Sequence, residues 1–372
     1  MAKKLTIGIV ANTAFNIYNF RSSLIQALIE TGYRVIAIAP ADDYVTLLKE
    51  KNIEFIELKK LNRKGANPWN DFKLLMELKN IYKENKIDVA LQFTIKPNIY
   101  GTLAAKLVGT KAICTVTGLG YTFLNKNWKS KIAHHLYKIA FSYADVVLFQ
   151  NADDLNTFIE NKLVAKSKTQ IVPGSGIDIE KFSPAFCVEN TSDNKLHFLM
   201  IARLLKDKGI HEYIEAAKNT LQSHANIVFH LLGDIDNDNP TAIKKSALDS
   251  WIKEDIIQYH GYAKDTRPYI CKADCVVLPS YREGMPRVIL EAMAMAKPCI
   301  TTNAPGCKDA VVENETGLIC EVANADSLSK TIEKFILLDK TYKVQLGINA
   351  RKRAEYYYST SAVNQVYKNL LL

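Results

Sequence analysis

An α/β fold of two doubly wound domains is predicted by three observations. The chain has 372 residues, too many for one ordinary domain and enough for two. Short apolar runs alternate with longer amphipathic stretches, the pattern of parallel strands covered by helices. A Gly- and Pro-rich stretch without periodicity, VPGSGIDIEKFSPA (172–185), breaks that alternation near mid-chain.

In the first half LTIGIVA (5–11) reads as a strand followed by a helix around Phe20–Thr31. RVIAIAP (34–40) precedes a second helix over Tyr44–Lys51, and VALQF (89–93), AICTV (112–116) and VVLFQ (146–150) continue the series. In the second half HFLMIAR (197–203), IVFHLLG (227–233), CVVLPS (275–280) and KPCITT (297–302) repeat it. Continuous apolar runs suit strands buried on both faces. Two such domains would face each other across a cleft, with functional residues just after the strands, where open α/β sheets bind their ligands.

Composition narrows the classes. Apolar residues make up 48%, enough for a core in each half. The opening MAKKLTIGIVA has the lysines and apolar run of a signal peptide but no small-residue cleavage pattern, and reads as the first strand. No apolar stretch reaches the ~18 residues of a membrane-spanning helix, so a soluble or surface-attached protein is expected. The seven cysteines, at 114, 187, 271, 275, 299, 307 and 320, form no CxxC pair and read as buried thiols of a reducing compartment. Cys271 and Cys275, four apart, are expected on one face of a packed helix, with no further residue at zinc spacing. The net charge of +9 is uneven: residues 1–180 hold 24 Lys and Arg against 16 Asp and Glu, an excess of +8. A basic first half seeks anionic partners such as phosphates or anionic lipid.

Five segments carry candidate chemistry. IARLLKDKG (201–209) leaves a strand and enters a helix; Arg203 and Lys208 there could clamp a diphosphate, although a solvated basic turn would read the same. PSYREGMPRVILEAMA (279–294) follows the strand CVVLP, with Glu283 before Gly284 and Pro286, and Glu291 inside an apolar helix where a carboxylate needs a partner. TVTGLGYTF (115–123) has Gly118 and Gly120 where a backbone could approach a ligand; an ordinary turn explains them equally well. GDIDNDNP (233–240) imitates the start of a calcium loop, but Asn239 and Lys245 stand where that loop needs Gly and Glu, so it reads as a polar surface loop. FLNKNWKSKIAHHLYKIAF (123–141) mixes lysines with aromatic and aliphatic residues, as does a helix lying on an anionic membrane. No G-x-G-x-x-G follows the first strand, which disfavours a nicotinamide or flavin enzyme.

Together the ARLLKDKG turn, EGMPRVILE with its two glutamates and the VPGSGID joint resemble the family 4 glycosyltransferases, over nearly the whole chain. NIYNFR, IKPNIYG, TVTGLGYTF and FQNADD are further similar to bacterial transferases acting on polyprenyl-diphosphate-linked sugars, N-acetylgalactosaminyltransferases among them. The resemblance implies the GT-B fold and a retaining, metal-independent transferase without cofactor, moving a hexose or HexNAc, GalNAc among the candidates, from a UDP-sugar. The implied acceptor is a polyprenyl-diphosphate-linked saccharide in surface glycan or glycoprotein assembly. It implies that Arg203 and Lys208 neutralise the departing diphosphate, that Glu291 holds the ribose, and that Glu283 contacts the donor sugar beside Gly284, Met285, Pro286, Arg287 and Val288. Thr117, Gly118, Leu119 and Gly120 would face the donor from the first domain, with Thr117 standing where many relatives carry a histidine. Asn16 and Arg21 would shape the acceptor side, and Lys126, Trp128, Lys129 and Lys131 would touch the membrane.

The expected division is 1–178 for the acceptor-side domain and 179–355 for the nucleotide-sugar domain, with a helix over about 356–372 packing back on the first. The expected location is cytoplasmic, on the inner face of the cell membrane. Rival readings are a nucleotide-sugar epimerase and a non-catalytic nucleotide- or carbohydrate-binding protein. Nucleic-acid binding lacks any motif, and phosphate-bearing lipid accounts for the basic charge equally well.

Overall fold

The computed structural model of the chain describes residues 4–62, 67–119, 128–187, 194–237 and 239–371. Two compact units make up the chain: residues up to Gly176 together with Val363–Leu372, and Ile177–Ala362.

The first unit runs β1 (Thr6–Val10), α1 (Ala14–Glu30), β2 (Arg34–Ala39), α2 (Tyr44–Glu50), β3 (Glu54–Glu57), α3 (Pro68–Glu84), β4 (Val89–Phe93), a π turn (Pro97–Gly101), α4 (Thr102–Val108), β5 (Lys111–Val116), α5 (Trp128–Tyr143), β6 (Val146–Phe149), α6 (Ala152–Glu160) and β7 (Thr169–Ile171). The strands form one parallel sheet in the order β3-β2-β1-β4-β5-β6-β7. β4 is buried at every residue, and β1 and β5 at all but the first, as their apolar runs require. One core cluster gathers Ile17, Leu24, Leu28 and Leu48 with Val363 and Tyr367. Two others set Leu74, Leu78 and Ala104, and Tyr137, Phe141 and Phe158, against the sheet.

The second unit runs β8 (Leu196–Ile201), α7 (Ile210–Leu221), β9 (Ile227–Leu232), α8 (Lys245–Lys253), β10 (Gln258–Tyr259), α9 (Arg267–Lys272), β11 (Cys275–Leu278), α10 (Arg287–Ala294), β12 (Cys299–Thr302), α11 (Cys307–Ala310), β13 (Gly317–Cys320), α12 (Ala325–Leu337) and α13 (Lys340–Arg353). Its sheet is parallel in the order β10-β9-β8-β11-β12-β13. The helix α14 (Thr360–Asn369) follows and carries the chain back. In both sheets the direction of winding reverses beside the first strand, between β1 and β4 and between β8 and β11. Such switch points open a crevice at the carboxyl ends of the strands.

Several expectations need correction. The helix after β1 begins at Ala14 rather than near Phe20, because Thr13 caps it by accepting the Asn16 amide (3.0 Å) and Asp42 accepts the Phe15 amide (2.9 Å). Residues 356–362 stay with the second unit. Tyr358 is buried there, its hydroxyl donating to the Asp309 carbonyl (2.7 Å), and the Thr360 amide donates to the Ile177 carbonyl (2.9 Å). Cys271 lies in α9 and Cys275 in β11, so they share no helix face. Cys187 and Cys271 form a disulfide with Cα atoms 5.3 Å apart, because the chain after the short turn Pro184–Phe186 runs against α9. The other five cysteines are free and buried.

Tyr367 joins the last helix to the first unit: it is buried, its ring lies 6.1 Å from that of Phe93, and its hydroxyl meets the Thr115 hydroxyl at 3.1 Å. Tyr367→Ala is expected to destabilise that unit by about 3–5 kcal/mol, as for other buried aromatics cut to alanine. Urea unfolding should show one of two transitions moved and the other unchanged.

Candidate active site

The switch point of the second unit assembles the site. Beyond β8 the chain makes the tight turn Lys206–Lys208 and passes through Gly209 at φ +76°. A Cβ at that position would lie 2.1 Å from the carbonyl oxygen of Pro279, so no other residue fits. The turn therefore rests on the segment leaving β11. The Tyr281 amide donates to the Asp207 carbonyl (2.9 Å), and the Ser280 hydroxyl lies 3.2 Å from the same oxygen. Lys208 and Glu283, 75 positions apart, are brought to 2.5 Å (Nζ to Oε1), and the Ser280 hydroxyl donates to the same carboxylate oxygen at 2.8 Å. Both charged side chains keep 17% exposure, so the pair is reachable from solvent yet poorly screened.

Glu283 is held from the other side as well. Its amide donates to the Pro305 carbonyl (3.0 Å), and Gly306, at φ +80°, would put a Cβ 2.4 Å from the Glu283 carbonyl oxygen. Gly284 and Pro286 are buried, Met285 and Val288 pack on the core beneath, and α10 starts at Arg287. The positive end of that helix thus opens at the site. One and a half turns in, Glu291 is 9% exposed. Arg287 Nε donates to its Oε1 (3.0 Å) and the Thr266 hydroxyl to its Oε2 (3.1 Å). Burial pushes the Glu291 carboxyl above its ordinary pKa, with Arg287 and Thr266 opposing the shift.

Arg203 is not beside that pair. It is 62% exposed and bonds Asp236 at 2.8 Å. The acidic loop after β9 does more than sit on the surface: besides Asp236, the Asp234 carbonyl accepts the Leu204 amide (2.9 Å) and the Thr241 carbonyl accepts the Lys206 amide (2.8 Å), bracing the turn that bears Lys208. Asp238 lies outside the described residues.

The first unit carries its own polar cavity, about 910 Å³, at the carboxyl ends of β1, β2 and β3. Asn12, Thr13, Asn16, Asp42, Lys59 and Lys60 are among its walls, and the Asn16 side-chain oxygen is buried there without a hydrogen-bond partner. Arg21 stands elsewhere: it is buried, with its guanidinium 3.9 Å from the Phe93 ring centroid. After β5, Thr117 and Gly118 are half-buried and Leu119 is buried in the core with Tyr137 and Phe141. Gly120, Lys126 and the side chains of Trp128 and Lys129 lie outside the described residues, whereas Lys131 is exposed on α5.

Three features escaped sequence reading. Thr94, just after β4 at the switch point of the first unit, has φ +74° and a buried hydroxyl without a partner; no sequence rule places a β-branched residue there. Lys59 and Lys60 follow a short edge strand that gives little apolar signal. Thr266 as the partner of Glu291 is 25 positions away, and only the fold brings it near.

Two family models match the chain, one in each half: "Glycosyl transferase 4-like" over residues 8–151 and "Glycosyl transferases group 1" over residues 185–353. The chain is 29% identical over 367 residues, 95% of both chains, to the N,N'-diacetylbacillosaminyl-diphospho-undecaprenol alpha-1,3-N-acetylgalactosaminyltransferase of Campylobacter jejuni. It is 28% identical over 268 residues, 69% of this chain and 68% of the other, to the UDP-Gal:alpha-D-GlcNAc-diphosphoundecaprenol alpha-1,3-galactosyltransferase of Escherichia coli. Among solved structures, a glycosyltransferase from Rickettsia africae has a TM-score of 0.80 at 20% identity, covering 100% of this chain and 98% of that one. Anabaena HepE in complex with UDP has a TM-score of 0.78 at 19% identity, covering 99% of each chain. Both halves match models of glycosyltransferases, and the chain is a glycosyltransferase with the GT-B fold.

Two outcomes follow from the geometry. Gly209→Ala is expected to cost about 2–3 kcal/mol through backbone strain and the clash with Pro279, read as a lowered unfolding midpoint. Burial raises the Glu291 pKa in the folded chain, so folding favours its neutral form. The stability this group contributes is present below its unfolded pKa and lost as pH rises through the folded one. Glu291→Gln should therefore raise the unfolding midpoint at neutral pH, the gap closing toward the acid side, by scanning fluorimetry across pH.

Proposed function

We propose that this glycosyltransferase transfers N-acetylgalactosamine or a related hexose from a UDP-sugar to a polyprenyl-diphosphate-linked saccharide, with retention of configuration and without a metal ion. The observation that carries the reading is the Lys208–Glu283 pair at the switch point of the second unit, beside the amino end of α10. The undecaprenyl-diphosphate acceptors named for the Campylobacter and Escherichia coli relatives support the acceptor class, and the second of those names supports a UDP-sugar donor.

Cleavage of the donor's glycosidic bond leaves negative charge on the nucleoside diphosphate. Lys208 stabilises that charge if it exchanges Glu283 for a phosphate oxygen, and Arg203 adds a second, more mobile cation. With Lys208 turned to phosphate, the Glu283 carboxylate accepts from donor-sugar hydroxyls, beside the backbone of Gly284 and Met285. Glu291, kept in place by Arg287 and Thr266, accepts from the ribose hydroxyls. Pro286 and Val288 shape the wall. Retention follows when the acceptor hydroxyl attacks from the leaving-group face and its proton passes to the departing phosphate oxygen. Asn16 and the cavity it lines serve the acceptor side.

Among the described residues no helix is long and apolar enough to cross a membrane. On this reading the lipid-linked acceptor is met from the inner surface of the cell membrane, with Lys131 and the neighbouring Lys126, Trp128 and Lys129 among the contacts.

UDP and one UDP-sugar should stabilise the protein, by about 2.7 kcal/mol at a hundredfold excess over Kd, equally with and without EDTA. Lys208→Ala and Glu283→Gln should each lower transfer at least about 100-fold while the fold survives. Full transfer in either folded variant, or loss of the UDP shift in EDTA, would remove the corresponding part of the assignment. Proton NMR of the product tests retention: an α-linked product from the α-linked donor is expected, and a β-linked one excludes it.

A further inference from the structure

The helices α3, α4 and α5 form one layer on a face of the first sheet, α3 packing on α4 and α4 on α5. Each follows a parallel strand and runs back along it, so their amino ends share the carboxyl edge of the sheet. That edge is also where the polar cavity opens.

The first turn of α3 is built in an unusual way for a surface. Trp69 is 64% exposed and Phe72 52%, their rings stacked with centroids 6.0 Å apart. The Lys73 ammonium sits 5.4 Å from the Trp69 ring centroid. Asp71, the one acid of that turn, points inward and is buried, held by Lys96 (2.7 Å) and the Tyr100 hydroxyl (2.9 Å). The outward face therefore offers aromatic surface and a cation without an acid. Along the same edge, Ile95 precedes the turn into α4 and is 39% exposed, and Lys131 with Ile132 are exposed on the first turn of α5. Asn70, between the two aromatic residues in sequence, lines the cavity, as do Lys59 and Lys60.

We propose that this edge, anchored by Trp69 and Phe72, is the surface by which the protein sits on an anionic lipid bilayer. Stacked Trp and Phe with lysines match the depth at which headgroups meet acyl chains, and the lysines match the charge of the leaflet. A globular surface otherwise keeps Trp largely covered. The placement gives the cavity a purpose on the membrane: a lipid-linked diphosphate sugar seated there has its chain directed toward the same edge. The proposal rests on the lipid-linked acceptor of the preceding reading, and it moves the main membrane anchor from the start of α5, where the sequence places it, to the start of α3.

The full chain is tested by co-sedimentation with vesicles of phosphatidylethanolamine and phosphatidylglycerol, and with phosphatidylcholine alone. The wild type should bind the anionic vesicles, less so in high salt, and hardly bind the zwitterionic ones. Trp69→Ser/Phe72→Ser should weaken binding at least about tenfold, since two interfacial aromatic anchors are removed, and leave the UDP-induced thermal shift intact. With Trp128→Phe as the common background, Trp69→Phe should keep binding but lose most quenching of tryptophan emission by lipids brominated in the tail. Wild-type binding by the Ser/Ser variant, wild-type quenching by Trp69→Phe, or no vesicle binding by the wild type would each overturn the proposal. A protein that shifts with UDP but ignores vesicles loses this inference alone; one that binds vesicles but not UDP loses the donor reading alone.

Discussion

The backbone of Gly209 presses against the carbonyl of Pro279, and the rest of the site depends on that approach. Two segments leave the sheet side by side at the switch point, one after β8 and one after β11. Without a side chain at residue 209 they touch, and Asp207 can accept from Tyr281 and Ser280. Lys208 is then carried to Glu283. Gly306 repeats the device on the far side of Glu283. The carboxylate is fixed between two such backbone contacts, neither of which tolerates a Cβ. This is the logic of a site built on sheet edges rather than free loops: position comes from main-chain packing, and the charged side chains travel little.

The charge balance at the site follows from that packing. Lys208 and Glu283 neutralise each other, so a half-buried anion and cation need no counter-ion from solvent. The Glu283 carboxylate has the Ser280 hydroxyl as a second partner besides Lys208. Glu291 differs in kind. It sits deeper, its carboxyl raised by burial, and Arg287 and Thr266 compensate without freeing it from the apolar surroundings. Two acids eight positions apart on one motif thus meet different dielectric environments, which suits one to exchange partners and the other to stay.

Much of this was legible in the residues. The buried central strands announce themselves as unbroken apolar runs, and β4, VALQF, spans the residues read from sequence. The edge strands were not seen: β3, β7, β10 and β13 are short, and half-exposed pairs such as Gln258–Tyr259 carry no periodic signal. Lys208, Glu283 and Glu291 stood out because a cation after a strand, or an acid in an apolar helix, breaks a local rule. Arg21 was expected to shape the acceptor side, yet it lies buried over Phe93, and only tertiary packing could reveal that. Cys187 looked like another buried thiol for the same reason: its partner is 84 positions away. Thr94 breaks a backbone rule rather than a composition rule, and sequence patterns do not report φ.

The second unit is contiguous from Ile177 to Ala362, whereas the first is closed by residues 363–371, with Tyr367 against Phe93. A ribosome works in one direction, and domains fold as units as they emerge. The second unit can therefore complete its core while the unit made before it still waits for α14. During synthesis the earlier half is the later one to mature, holding an unfilled apolar groove over β4 and β5 until the last helix arrives. A ribosome that stalls or terminates shortly after Ala362 would release a molecule whose late-made part is sound and whose early-made part is exposed to proteases and aggregation.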